Sequence, residues 1–148
     1  MSLSITESQS QIKSEFLNLA TTDDKWKYLL QLAREHESID DSIKDEKFLI
    51  KGCATRLFLI PKFETGVLHF YIDTDSGSDS PLIVRGLAHL AWRVYNGQSP
   101  ADILSSDIGF FQEIGLNVAL SATRANGFAS LLKQIFLYAR VFQATLSK

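Results

Sequence analysis

FLIKGCATRLFLIPKFETGVLHFYI, residues 48–72, is the stretch whose reading decides the fold. It holds three apolar runs, at 48–50, 56–63 and 67–72, each rich in branched or aromatic side chains. Gly52 and Gly66 fall at the two breaks between them. Short β-prone runs separated by glycine turns predict three antiparallel strands joined by tight turns. Pro61 has no N–H to give to a ladder, so the second strand is expected to end there or to lie at an edge. The polar segment that follows, 73–81, reads as a loop.

Outward from this stretch the period changes to that of helices. Toward the N-terminus, Ile12, Phe16 and Leu19 stand at helical spacing. Thr21 and Asp24 have the spacing of a capping box before a second helix. In that helix Trp26, Leu29, Leu30 and Ala33 follow the i, i+3, i+4, i+7 pattern of one buried face. The polar run 35–46 ends it. After Pro81, Ile83, Leu87, Leu90 and Val94 form the apolar face of a helix that stops near Asn96 and Gly97. Ser99, Pro100 and Asp102 make a strong helix start, with a capping hydroxyl, proline at the first helical position and an acid in the first turn. A short helix around Phe110 and Phe111 should stop at Gly115. The last helix is expected over about 126–143, with Phe128, Leu131, Leu132, Ile135, Ala139 and Phe142 on one stripe. Helices, then strands, then helices predict one α+β domain over 1–148, with its core at about 16–139. In it the N- and C-terminal helices cover a small three-stranded antiparallel sheet.

Composition narrows the function. Fifteen basic side chains nearly balance 17 acidic ones, for a formal charge of −2, so the chain lacks the basic surplus of a nucleic-acid binder. Lys44, Lys47 and Lys51 are interrupted by Asp45 and Glu46 and read as a solvated surface. No apolar run approaches the roughly 20 residues of a membrane span. Ser2, Ser4, Thr6, Glu7 and Ser8 do not resemble the basic and apolar start of a secretory signal. A single cysteine excludes an internal disulfide. The reducing cytoplasm is the expected location.

That cysteine, Cys53, is the candidate for chemistry. A lone cysteine is commonly a small buried hydrophobe. Three neighbours argue for more. Gly52 permits a positive φ and a sharp turn that would present Cys53 at a loop tip. Lys51 and Arg56 flank it, and nearby positive charge favours thiolate over thiol. The thiolate is the nucleophile. One cysteine also excludes chemistries: a dithiol redox pair needs a second thiol, and a cluster scaffold needs several thiolates. Zinc would need His36, His69 or His89, none of which stands at ligand spacing to Cys53. A Cys–His pair formed in space stays open, as does the structural role. One thiolate can attack, hold one sulfur and hand it on.

Four segments carry a resemblance to a known family. Ile50-Lys51-Gly52-Cys53-Ala54-Thr55 resembles the active loop of the SufE and CsdE sulfur acceptors, V/I-x-G-C-x-S/T. Ile83-Val84-Arg85-Gly86-Leu87 is similar to their I-V-K/R-G-L helix start. Tyr95-Asn96-Gly97-Gln98-Ser99-Pro100-Ala101-Asp102-Ile103 looks like their Y-x-G-x-T/S-P-x-D/E-I segment. Ser121-Ala122-Thr123-Arg124-Ala125-Asn126-Gly127 looks like their L-x-x-S-R-x-x-G stretch, with Thr123 where serine is usual. The resemblance spans about 16–139. The chain departs from it at 74–80, where it carries a few extra residues and Asp79 is offset by one position, so partner contacts are not carried over there.

The resemblance implies a SufE/IscU-like fold and a mechanism. Cys53 would be the persulfide acceptor, taking sulfur from a PLP-dependent cysteine desulfurase of the SufS or CsdA type. It would pass that sulfur to an iron–sulfur scaffold complex. PLP would belong to the partner, and this chain would bind no cofactor of its own. Cys53 is expected to rest partly sheltered and to be extruded on docking, since an exposed thiolate oxidises. Arg124 has two readings: a tie holding the pre-helix loop to carbonyls or a carboxylate, or a supporting positive group near Cys53. Arg85, His89, Trp92 and Asn96 lie opposite the apolar face of their helix. There Trp92 is either a partner anchor or a packed side chain, and His69 reads as structural or solvated. Two other functions compete: a docking module that regulates a desulfurase without carrying sulfur, and an independent thiol enzyme acting on a small molecule.

Overall fold

The computed structural model describes residues 3–75 and 82–146. Helix α1, Ile5–Leu17, starts at a complete capping box: Ser4 Oγ accepts from Glu7 N–H at 3.1 Å, and Glu7 Oε1 accepts from Ser4 N–H at 2.9 Å. Its buried face is Ile5, Ile12 and Phe16. Leu19 lies past the helix end but packs against the core. Helix α2, Thr22–Glu35, is capped by Thr21, whose Oγ1 accepts from Asp24 N–H at 3.0 Å. Only this half of the expected box forms, because an aspartate is one carbon too short to reach back easily.

The central pair of strands is β1, Leu57–Glu64, and β2, Val67–Thr74, antiparallel from Leu57 opposite Thr74 to Glu64 opposite Val67. Thr65 and Gly66 both have positive φ, 54° and 81°, the pattern of the type I′ turn that suits a right-twisted hairpin. Pro61 lies inside β1, opposite Phe70, and does not end it. Phe70 N–H turns the other way, to Asn96 Oδ1 at 2.7 Å, so this pair exchanges no ladder bond and the missing N–H of Pro61 faces outward.

Among the described residues the sheet has two strands, not the expected three. Residues 48–50 make one bridge, Leu49 opposite Phe58, and one bond, Ile50 N–H to Leu57 O at 2.9 Å. On one side Asp45 caps a 3₁₀ turn, Glu46–Phe48, and on the other Gly52 turns the chain at φ 88°. Two residues between two turns cannot extend a ladder. The far edge of β2 is closed by other means: Leu68 N–H donates to Gln98 O at 2.8 Å, and Gly97 N–H donates to Leu68 O at 2.7 Å.

Helix α3, Leu82–Tyr95, runs through the middle of the molecule. The expected face of Ile83, Leu87, Leu90 and Val94 is buried, and so are Gly86, Ala88, His89, Ala91 and Tyr95. Gly86 has a specific reason: a Cβ there would stand 2.2 Å from Leu29 O, so α2 and α3 cross backbone to backbone. The polar side chains of α3 make internal bonds. Arg85 pairs with Asp73 and donates to His36 O at 2.6 Å. Arg93 makes two 2.9 Å bonds to Glu15, which Tyr28 also contacts at 2.8 Å, tying α1, α2 and α3 together. Arg93 holds the Glu15 carboxyl below its usual range.

Helices α4, Pro100–Ser105, and α5, Phe110–Glu113, follow, and Gly115 stops the chain as expected at φ 87°. The last helix, α6, is Ala122–Leu146, four residues earlier at its start than its apolar stripe suggests. Ser121 Oγ accepts from Arg124 N–H at 3.3 Å across this first turn. The stripe itself packs as expected, with Phe142 stacked on Phe63 of β1. The α+β layering thus holds, with α3 as the main support of the sheet. Most of the extended segment 74–80 lies outside the described residues.

Candidate functional site

Cys53 is half-buried on the loop between the Lys51–Gly52 turn and β1. Two glycines let this loop approach α6. A Cβ on Gly52 would lie 2.9 Å from Ser130 Oγ. A Cβ on Gly127 would lie 3.1 Å from Cys53 Sγ and 3.6 Å from its Cα and Cβ. Gly127 and Ser130 are three residues apart on α6, so they share a face and the loop lies along one helical turn. A glycine inside a helix costs about 1 kcal/mol relative to alanine. Here it makes room for the cysteine.

Beside Cys53 is a cavity of about 30 Å³, enough for a water-sized guest. Its apolar wall comes from Leu57 of β1, Val84, Leu87 and Ala88 of α3, and Phe128 and Leu131 of α6. Its polar side comes from Thr55, Thr123 and Arg124. Cys53 and Arg124, both candidates from sequence, therefore line one cavity, although 71 positions separate them.

Arg124 is not in a pre-helix loop. It stands in the first turn of α6, and among the described residues its side chain makes no ion pair or hydrogen bond. Its guanidinium carbon instead lies 5.2 Å from the centroid of the Trp26 ring. Neither expected tie, to a carbonyl or a carboxylate, is formed among the described residues. Trp26 was expected only as a core residue of α2; it is half-buried and carries Arg124 on its face. Nothing in the helical spacing of α2 signals that contact.

The flanking cations take other partners. Arg56 donates to Asp75 at 2.6 Å and to Glu46 at 2.9 Å, and its guanidinium lies 5.7 Å from the Phe58 ring. Lys51 lines a separate hollow with Lys47, Ser130, Gln134 and Tyr138. Lys44, expected on a solvated surface, is buried: its side chain is 5% exposed, bonded to Thr74 O at 2.8 Å and 3.7 Å from Asp73. Adjacency in the chain showed neither the burial of Lys44 nor the carboxylate partners of Arg56, whereas Lys51 is exposed, as a solvated surface requires.

The histidines gather elsewhere. His36, His69 and His89 all line a hollow of about 270 Å³ between the end of α2, β2 and α3, and none lines the Cys53 cavity. His36 Nε2 faces Ile72 O, which can only accept, so this nitrogen carries the proton. His36 Nδ1 is then bare and accepts from His89 Nδ1–H at 3.1 Å. Burial pushes both imidazoles down, His89 to about 4. Trp92 stacks on His89 at 5.6 Å, half-buried, which favours packing over a free anchor. Among the described residues no group of His, Cys, Asp and Glu side chains is arranged to hold a metal ion. Nor is any described helix long and apolar enough to cross a membrane.

Comparison with known proteins agrees with this architecture. A solution structure of a hypothetical protein from Thermus thermophilus superposes with a TM-score of 0.73 at 22% identity, over 90% of this chain and 93% of that one. That likeness shows the fold. A sulfur acceptor protein of Escherichia coli, CsdE, is 29% identical over 132 residues, 88% of this chain and 86% of its own length. An uncharacterized SufE-like protein of Rhizobium meliloti is 28% identical over 129 residues, 86% of this chain and 91% of its own. The family model described as SufE, Fe-S metabolism associated domain, matches residues 10–139, and this chain belongs to that family.

Proposed function

We propose that this chain is a sulfur acceptor and carrier that works with a cysteine desulfurase, and that Cys53 is the residue that takes the sulfur. The observation that carries the reading is the seat of Cys53: half-buried on a glycine turn, against Gly127, at a small apolar cavity that Arg124 also lines. The membership of the family and the likeness to a protein named sulfur acceptor support it.

The Cys53 thiolate attacks the terminal sulfur of a persulfide on the partner's cysteine. A new S–S bond forms on Cys53, the partner's S–S bond breaks, and its thiolate leaves. The sulfur moves at an unchanged oxidation level, so no external oxidant or reductant takes part. Arg124 assists as a positive group toward anionic sulfur. PLP belongs to the desulfurase, and this chain needs no cofactor. The recipient is an iron–sulfur scaffold complex, and the setting is the cytoplasm. The apolar wall shelters the thiol at rest, and docking draws the loop outward.

The test is intact-protein mass after incubation with a cysteine desulfurase and free cysteine. Added sulfur that reductant removes, present in the wild type and absent in Cys53→Ser, is the expected result. No added sulfur with a desulfurase that demonstrably binds would leave a docking or regulatory module instead.

A further inference from the structure

Arg124 differs from the arginines that build the fold. Arg56, Arg85 and Arg93 are each neutralised by one or two carboxylates. Arg124 has a carboxylate partner nowhere among the described residues, and lies over the Trp26 ring instead. The two ways of holding a guanidinium differ in consequence. A carboxylate fixes it and cancels its charge. An aromatic face holds it through the ring quadrupole and leaves the full positive charge for something else.

The platform is itself well fixed. Trp26 packs on the core, and Leu29, one turn further along α2, touches the backbone of α3 at Gly86. Val84 and Leu87, on either side of Gly86, form the cavity wall beside Cys53. The ring that holds Arg124 and the wall that shelters Cys53 are thus referenced to the same helix crossing.

We propose that Trp26 is a positioning residue, which holds Arg124 at the mouth of the Cys53 cavity with its charge unneutralised, toward an incoming anionic sulfur group. The purpose assigned to this contact rests on the sulfur-acceptor reading; the contact itself does not.

The experiment compares alkylation of Cys53 by iodoacetate, an anion, and iodoacetamide, its neutral analogue. Both displace iodide with the same thiolate, so the ratio of their rates cancels loop exposure and thiolate fraction and reports charge at the mouth. Trp26→Leu is expected to lower the iodoacetate-to-iodoacetamide ratio about two- to fivefold, the size of one exposed cation–π contact. Trp26→Phe, which keeps a ring face, should hold the ratio close to wild type. Arg124→Met should lower it at least as far, and Trp26→Leu should add nothing in that background. Should Trp26→Leu fail to fold by thermal melt, Trp26→Gln replaces it. With a desulfurase, the same variants should lose transfer rate at saturating partner, with the half-saturating concentration unchanged. An unaltered ratio in the Trp26 variants, or a loss that persists without Arg124, overturns the proposal. If the wild type takes up no sulfur, the acceptor reading falls while the alkylation ratios still decide the role of Trp26.

Discussion

Replacing Gly127 by alanine sets two effects of known size against each other. Inside a helix, alanine is favoured over glycine by about 1 kcal/mol. The new Cβ would meet Cys53 and nothing nearer, with Sγ at 3.1 Å. Apolar atoms pack best at about 3.5–4.0 Å, so the cysteine must retreat by roughly half an ångström. Overfilling a packed site costs about 1–3 kcal/mol, which matches or exceeds the helical gain. Gly127 belongs to the long helix α6, whereas Cys53 stands on a loop, so the loop is the part that yields. Equilibrium stability by urea unfolding should therefore fall by between zero and about 2 kcal/mol, and should not rise. The resting seat of Cys53, weakened by about 1–2 kcal/mol, should release the loop about 5- to 30-fold more often. Iodoacetamide alkylation of Cys53 should rise by a similar factor. A stability gain of the full 1 kcal/mol or so with unchanged alkylation would refute the reasoning, since it would mean that Cys53 is not seated on Gly127.

Three further outcomes are expected from the scaffold. Gly86→Ala should destabilise by about 3 kcal/mol or more in urea unfolding, beyond ordinary overpacking, because the Cβ would meet the Leu29 carbonyl at 2.2 Å with backbone on both sides. Asp73→Asn should cost about 3–5 kcal/mol by the same assay, since it leaves Arg85 facing a buried carboxamide in place of its carboxylate, while Lys44 keeps Asp41 at 3.0 Å. Stability should also fall as pH drops through the range between the unfolded histidine value, about 6.5, and the folded His89 value, about 4. In that window the unfolded chain binds the proton and the native chain does not, so the contribution is complete above 6.5 and is lost on acidification. Its size between pH 7.5 and 5 is on the order of 2 kcal/mol, read as the difference in pH slope between wild type and His89→Asn.

Much of this molecule is legible without coordinates. The hairpin was readable because Thr65 and Gly66 interrupt two β-prone runs, and a two-residue turn leaves only one register. The face of α3 and the stripe of α6 followed from period, and the helix at Pro100 from its cap. The cysteine loop was recognisable because Gly52 and Cys53 are adjacent, and motif order carried the family. Each of these signals lies within a few residues of chain.

Other features depend on which distant segments touch, and local pattern carries no record of that. Residues 48–50 have strand composition, but the turns on either side leave them a single bridge to Phe58. Lys44 looks solvated among its neighbours, yet its side chain is buried where it bonds the Thr74 carbonyl, 30 positions on, with Asp73 beside it. Arg56 flanks Cys53 in the chain yet turns to Glu46 and Asp75, while Arg124, far away in the chain, lines the cavity. Sequence alone determined that this chain runs from helices through strands to helices, with one thiol beside a glycine turn; that the strands number two was not in it. Only the tertiary structure decided what surrounds that thiol, because a cavity wall is made by helices crossing in space, and their spacing is set by glycines whose role appears only when the partner backbone arrives.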